Sequence, residues 1–191
     1  MKTPLLFARF AIIGMMLSFV ACDLLDKADD VTFDQELEII WNADENAEGS
    51  NVPYASLDEL DLADYPEIAK YANKIKEIKV NRITYRITNY DASPHHSQVI
   101  FNNGSASFMA TGSSTPAVTV PYAASASGVN LQTTTAETDL SINQDGLNKI
   151  ASLLKDNNKV SVSTSGVLSV TPVQFSVINK YYVTITANAL D

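Results

Sequence analysis

The chain has 191 residues, with 22 acidic side chains against 13 basic ones, for a formal net charge of −9. A surplus of that size repels nucleic acid and anionic lipid surfaces, so neither is an expected partner. Its single cysteine, Cys22, leaves no second thiol for an intrachain disulfide or a cysteine-based metal site, and stability must come from a hydrophobic core.

The first 21 residues read as an export signal. Lys2 and Arg9 form a basic front, and Phe10–Ala21 is a run of twelve residues whose only polar member is Ser18. Crossing a bilayer takes about 20 apolar residues, and Arg9 cuts the stretch short of that. The small-x-small pair of an ordinary signal peptide is missing, because Phe19 occupies its first position. Phe19-Val20-Ala21-Cys22 resembles the lipobox of bacterial lipoproteins, in which the cysteine is acylated and becomes the new N-terminus. The resemblance implies a signal peptide over 1–21, lipid on Cys22, and a place in the bacterial cell envelope at the outer membrane. The alternative is a soluble secreted protein with a spare thiol. The remaining 170 residues carry 11 basic and 22 acidic side chains, a charge of −11. A chain of that length buries about 70% of its unfolded surface, enough for one domain.

Residues 22–30 form an acidic tether, and the domain is expected over 31–191. Val31–Trp41 alternates, with Phe33, Gln35, Leu37, Ile39 and Trp41 on one side and Asp34, Glu36 and Glu38 on the other, the mark of a strand with one wet face. Asn42–Pro53 reads as a polar loop, and Ser56-Leu57-Asp58-Glu59 as a capping box opening a helical turn. From Tyr65 a helix is expected, with Asp64 as cap, Pro66 in its first turn and an apolar stripe of Ile68, Tyr71, Ala72 and Ile75. Residues 23–67 hold fifteen acidic side chains against Lys27 alone, whereas 68–90 carry six basic ones against Glu77, so the two blocks are expected to pair within the fold.

At Ile78 the period becomes two. Ile78 and Val80 share one parity and Ile83, Tyr85 and Ile87 the other, which requires a bulge near Asn81-Arg82. Asn89–Ser97 is read as a loop, and Asn102-Asn103-Gly104-Ser105 as a hairpin turn between Val99–Phe101 and Ala106–Met109. After the Thr111–Pro116 loop, strands are expected at Ala117–Tyr122, Val129–Thr135 and Thr138–Ile142. A second helix fits Gln144–Lys155, burying Leu147, Ile150, Ala151 and Leu154 and stopping at Asn157-Asn158. Val160–Thr164 and Val167–Val170 are strand-like around Gly166, and Val173–Ala187 holds one parity as a single bent strand.

Many short strands and two helices predict a mainly β chain, an antiparallel Ig-like β-sandwich with two short helices. The order Cys22, acidic strand, helix, Ile78-Lys79-Val80-Asn81-Arg82-Ile83-Thr84-Tyr85 and Thr184-Ile185-Thr186-Ala187-Asn188 resembles small lipoproteins of gram-negative bacteria that have no assigned activity. Ala117–Ala187, with Ser165–Val170 before its closing strand, is similar to the water-stress (WHy) type of β-sandwich. Neither resemblance carries catalytic residues to this chain.

The sequence contains no Gly-x-Ser-x-Gly elbow, glycine-rich phosphate loop or His-Glu-x-x-His. His95 and His96 are adjacent in the Pro94 loop, and on extended backbone they point apart, so only Asp91 with one of them makes a metal-binding candidate. Asp29, Asp30, Asp34 and Asp44 lack calcium-loop spacing. Trp41, Tyr54 and Tyr65 suggest either a sugar platform or core. The expectation is a non-enzymatic envelope lipoprotein, without cofactor, presenting its sandwich to a protein or glycan partner. A metal- or ligand-dependent hydrolase on the His95/His96 loop is the alternative.

Overall fold

Trp41 and Tyr54 lie thirteen residues apart on one strand, yet their rings stack with centroids 5.3 Å apart. A straight strand would separate them by about 40 Å, so the strand must double back. The computed structural model, which describes residues 29–92, 98–123 and 128–189, shows how. Strand β1 (Asp30–Asp61) runs antiparallel to β7 (Lys159–Asn188) along nearly its whole length, and this long ribbon folds over at its middle. At the corner the β1 register shifts between Glu45 and Gly49, opposite Pro172, and Thr171 Oγ1 donates to the Ala47 carbonyl at 2.6 Å. Proline has no ladder N–H to lose there.

On its other side β7 changes partner at the same corner. Its C-terminal half pairs with β2 (Ile75–Asp91) and its N-terminal half with β3 (Ile100–Met109). Short strands β4 (Val118–Pro121) and β5 (Val129–Asn130) extend β3, and β6 (Thr138–Asp139) extends β2. The result is an antiparallel β-sandwich made from one folded sheet, with layers β1-β7-β2-β6 and β1-β7-β3-β4. The chain passes between layers through a 3-10 turn (Leu62–Asp64) and the short helix α1 (Pro66–Ala69). Helix α2 (Gln144–Asn157) packs on β2, β7, β3 and β4. It buries Leu147, Ile150, Ala151 and Leu154, starts at Asn143, whose side chain accepts from the Gly146 N–H, and stops at Asn158 with φ 55°.

The strongest alternations hold. Leu37, Ile39 and Trp41 are buried, and so is every residue of the β7 series Val173, Phe175, Val177, Asn179, Tyr181, Val183, Ile185 and Ala187. The bulge in β2 falls between Val80 and Arg82.

Several expectations are corrected, among them the strand expected over Thr138–Ile142, which ends at Asp139, and the Asp64 cap, whose place is taken by Tyr65 without a side-chain cap bond. Asn42–Pro53 is strand, because pairing with β7 overrides its polar composition. Ser56 and Asp58 share the inward parity of Tyr54 and Leu60, so this segment is strand too. The helical turn begins later, at Leu62, capped by Asp61, whose carboxylate accepts from the Ala63 N–H at 2.8 Å. Helix α1 is four residues long and Ala72 is exposed, because Ile75 is already captured by the β7 ladder opposite Ala187. Asn103 does adopt positive φ, at 51°, but as a bulge within one continuous strand. There Gly104 and Gly166 leave room for the Phe101 ring to lie across them. Beyond Asn130 the expected strand Val129–Thr135 becomes a turn.

The charge blocks pair only in part. Lys76 meets Asp30 at 2.6 Å and Lys70 meets Glu67 at 2.7 Å. Other acidic residues of β1 take lysines from β7: Glu36 with Lys180 at 3.2 Å, and Glu59 and Asp61 with Lys159 at 2.9 and 2.8 Å.

Candidate functional site

Polar side chains gather in two places, inside the sandwich and on the outer face of the β1-β7-β2-β6 layer. The inner group lies in apolar parity columns. Tyr122, just past β4, bridges the layers, its hydroxyl 3.0 Å from Thr164 Oγ1 and 3.4 Å from Asn179 Oδ1, while Tyr85 donates to the Tyr122 carbonyl at 2.9 Å. Tyr181 is fully buried on the same face, and burial holds its phenol well above the ordinary tyrosine range. Ser56 is register neighbour to Thr164, and Asp58 to Val162. The Asp58 Oδ2, Asn179 Nδ2 and Tyr181 hydroxyl find no hydrogen-bond partner among the described residues.

Burial raises the Asp58 carboxyl above its ordinary value, opposed in part by the Ser56 hydroxyl. A raised carboxyl means the folded chain holds its proton more tightly than the unfolded chain does. The Asp58 contribution to stability is then greatest below the ordinary carboxylate value and falls as pH climbs through the raised one. Asp58→Asn is therefore expected to have a higher thermal midpoint than wild type at neutral pH, with the gap closing as pH is lowered past that window. Thermal melts across pH check this; a gap that widens on acidification would contradict it. The adjoining interior void, among Trp41, Tyr85, Phe101, Tyr122 and Phe175, is about 10 Å³, room for no more than about one water.

The outer face is built differently. Thr184 donates to Asp34 at 2.6 Å and receives Asn81 Nδ2 at 2.9 Å. Glu137 reaches over the sheet to accept from Thr84 Oγ1 at 2.6 Å and from the Tyr182 hydroxyl, and these bonds lower its carboxyl. The Arg82 guanidinium covers the Tyr182 ring at 4.1 Å and approaches Asp139 at 3.6 Å. Farther along, Ser176 donates to Asn42 at 2.6 Å, and Gln174 to Asp44 at 2.8 Å. Two open grooves lie on this face. One of about 330 Å³ is lined by Asp34, Glu36, Asn81 and Tyr182, and one of about 250 Å³ by Asn42, Asp44, Asn89, Gln174 and Ser176. Between them Ile40 is 50% exposed, in register with Ile178.

The residues singled out from sequence are scattered. Cys22, His95 and His96 lie outside the described residues, and Asp91 is exposed at the end of β2. Asp30, Asp34 and Asp44 are engaged separately by Lys76, Thr184 and Gln174, and among the described residues no three metal-ligating side chains converge. Trp41 and Tyr54 are core, while the Tyr65 hydroxyl bonds the Glu38 backbone. Sequence reasoning missed Tyr122, Tyr182, Asn81 and Glu137. The signal for the inner group was present, since Asn179 and Tyr181 stand in a column otherwise apolar.

No family model matches the chain, and no curated protein matches it. Among solved structures, a decameric BFDV capsid protein is 10% identical with a TM-score of 0.42, the alignment covering 82% of this chain and 98% of that one. Cocksfoot mottle virus gives 10% identity and a TM-score of 0.39 over 84% and 85% of the two chains. Desmodium yellow mottle tymovirus gives 9% and 0.33 over 85% and 89%. At these TM-scores the likenesses carry no conclusion about this chain.

Proposed function

We propose that the protein is a non-enzymatic envelope lipoprotein, anchored at the outer membrane through lipid on Cys22, whose sandwich binds a protein or glycan partner across the outer face of the β1-β7-β2-β6 layer. The carrying observation is the contrast between the two faces of that layer. The inner face closes on a void of about 10 Å³, whereas the outer face holds grooves of about 330 and 250 Å³ lined by carboxylates, amides, hydroxyls and Tyr182. Such side chains fix the orientation of a bound polar group, and the half-exposed Ile40 adds an apolar contact between the grooves. The acidic tether before β1 keeps the domain clear of an anionic membrane surface.

The test is crosslinking and capture from the native envelope with the full lipidated chain. Asn81→Ala with Tyr182→Ala removes two groove walls, and a partner seen with wild type is expected to fall at least about tenfold, the loss of a central anchor pair. Capture unchanged by the double substitution would overturn the assignment of this face.

A further inference from the structure

The edge of β1 carries a second observation. Among the described residues β1 pairs with β7 alone, so one side of its backbone faces away from the sheet. In an antiparallel ladder every second residue turns both its N–H and C=O outward. Glu38 is one of these, because the Tyr65 hydroxyl accepts from its N–H at 2.7 Å and donates to its carbonyl at 3.1 Å. Ile40, Asn42 and Asp44 share that orientation by parity. Other side chains of this chain also sit where a neighbouring strand would, with Gln35 Nε2 on the Glu36 carbonyl at 3.0 Å and the Tyr54 hydroxyl on the Asn42 carbonyl at 3.4 Å. Ile40 lies between the two tyrosine contacts, its side chain half exposed.

We propose that the β1 edge from Glu38 to Asp44 docks an extended segment of another protein that alternates apolar and basic side chains, with Tyr65 closing one end of the site. This rests on the reading of the domain as a partner-binding module and makes that partner a protein. Charge decides between occupants. Residues 28–69 contain no lysine or arginine, and β1 itself holds ten acidic residues. A second copy laid on this edge would set carboxylates against carboxylates, which is destabilising for cross-strand neighbours. A basic strand would instead meet Glu38 and Asp44 on the outer side. Its alternate apolar residues would reach the core rim beside Trp41 and Tyr54, the alternation that strand addition selects.

The probe is a seven-residue peptide alternating valine and lysine, added to isotopically labelled protein. Slowed amide exchange at Ile40, Asn42 and Asp44 is expected, with little effect from a valine–glutamate peptide or from a backbone N-methylated one. Tyr65→Phe is expected to tighten binding several-fold by freeing the Glu38 groups. Ile40→Pro removes an outward N–H while sparing the β7 ladder, and is expected to abolish protection at a near-wild-type thermal midpoint. Equal protection by the acidic peptide would overturn the proposal, as would full binding by the N-methylated peptide, whatever the folding of the variants. If envelope capture depends on Asn81 and Tyr182 while the edge stays unprotected, the docking inference fails and the binding-module reading stands. Capture indifferent to those two residues defeats the reading itself.

Discussion

Trp41→Ala is expected to lower the free energy of unfolding by about 3–5 kcal/mol, read from urea melts. The indole is 3% exposed, stacks on Tyr54 at 5.3 Å and meets the Phe175 ring edge-on at 5.6 Å. Those rings come from the two halves of β1 and from β7, so this one side chain ties together layers that the corner brings face to face. A void already adjoins the site, and the surrounding sheet is held by ladder bonds, so the wall has little freedom to collapse into the space vacated. A loss below about 1.5 kcal/mol, the range of volume-conserving core swaps, would mean that the two halves of β1 do not pack on one another.

Gly166→Ala is expected to cost about 1–3 kcal/mol, near the upper end, through overpacking. A Cβ at this position would stand 2.5 Å from two ring atoms of Phe101 and 3.0 Å from the Gly104 Cα, with backbone on one side and a buried ring on the other. The ring cannot swing toward Gly104, where an added Cβ would also meet it at 2.5 Å. Combining Gly166→Ala with Phe101→Leu is expected to cost less than the two changes summed, because they share one space. Strict additivity in denaturant melts would show that Phe101 does not fill the slot between the glycines.

The same glycines show where the sequence could be read and where it could not. Asn103-Gly104 carries the dipeptide chemistry of a tight turn, and Asn103 does take the left-handed conformation. Whether such a residue turns the chain or bulges a strand depends on what pairs alongside. Here β7 runs past both Phe101 and Ser105 and holds the segment straight. Alternation in β7 and the helical stripe of α2 were legible because burial on one face imposes a strict period. The corner of β1 was not, since Asn42–Pro53 is polar and its strand character comes only from a partner far along the chain. The candidate surfaces were least visible. The outer-face grooves are made by juxtaposing Asp34, Asn81 and Tyr182 from three strands, and no local pattern records that meeting.

The placement of β7 reaches beyond the finished structure to how it is assembled. β1, β2 and β3 each pair with β7, and none of these three pairs with another among the described residues. Thr32 and Thr186, whose hydroxyls lie 3.0 Å apart, are separated by 154 residues. Contact order this high means that loop closure precedes nearly all of the stabilising pairing, which places folding in the slow, millisecond-to-second class of all-β chains. During synthesis the earlier strands have no common neighbour until the final segment emerges. The chain is therefore expected to stay open until β7 is present and then to close as a unit, with β7 acting as the common template on which the other long strands register.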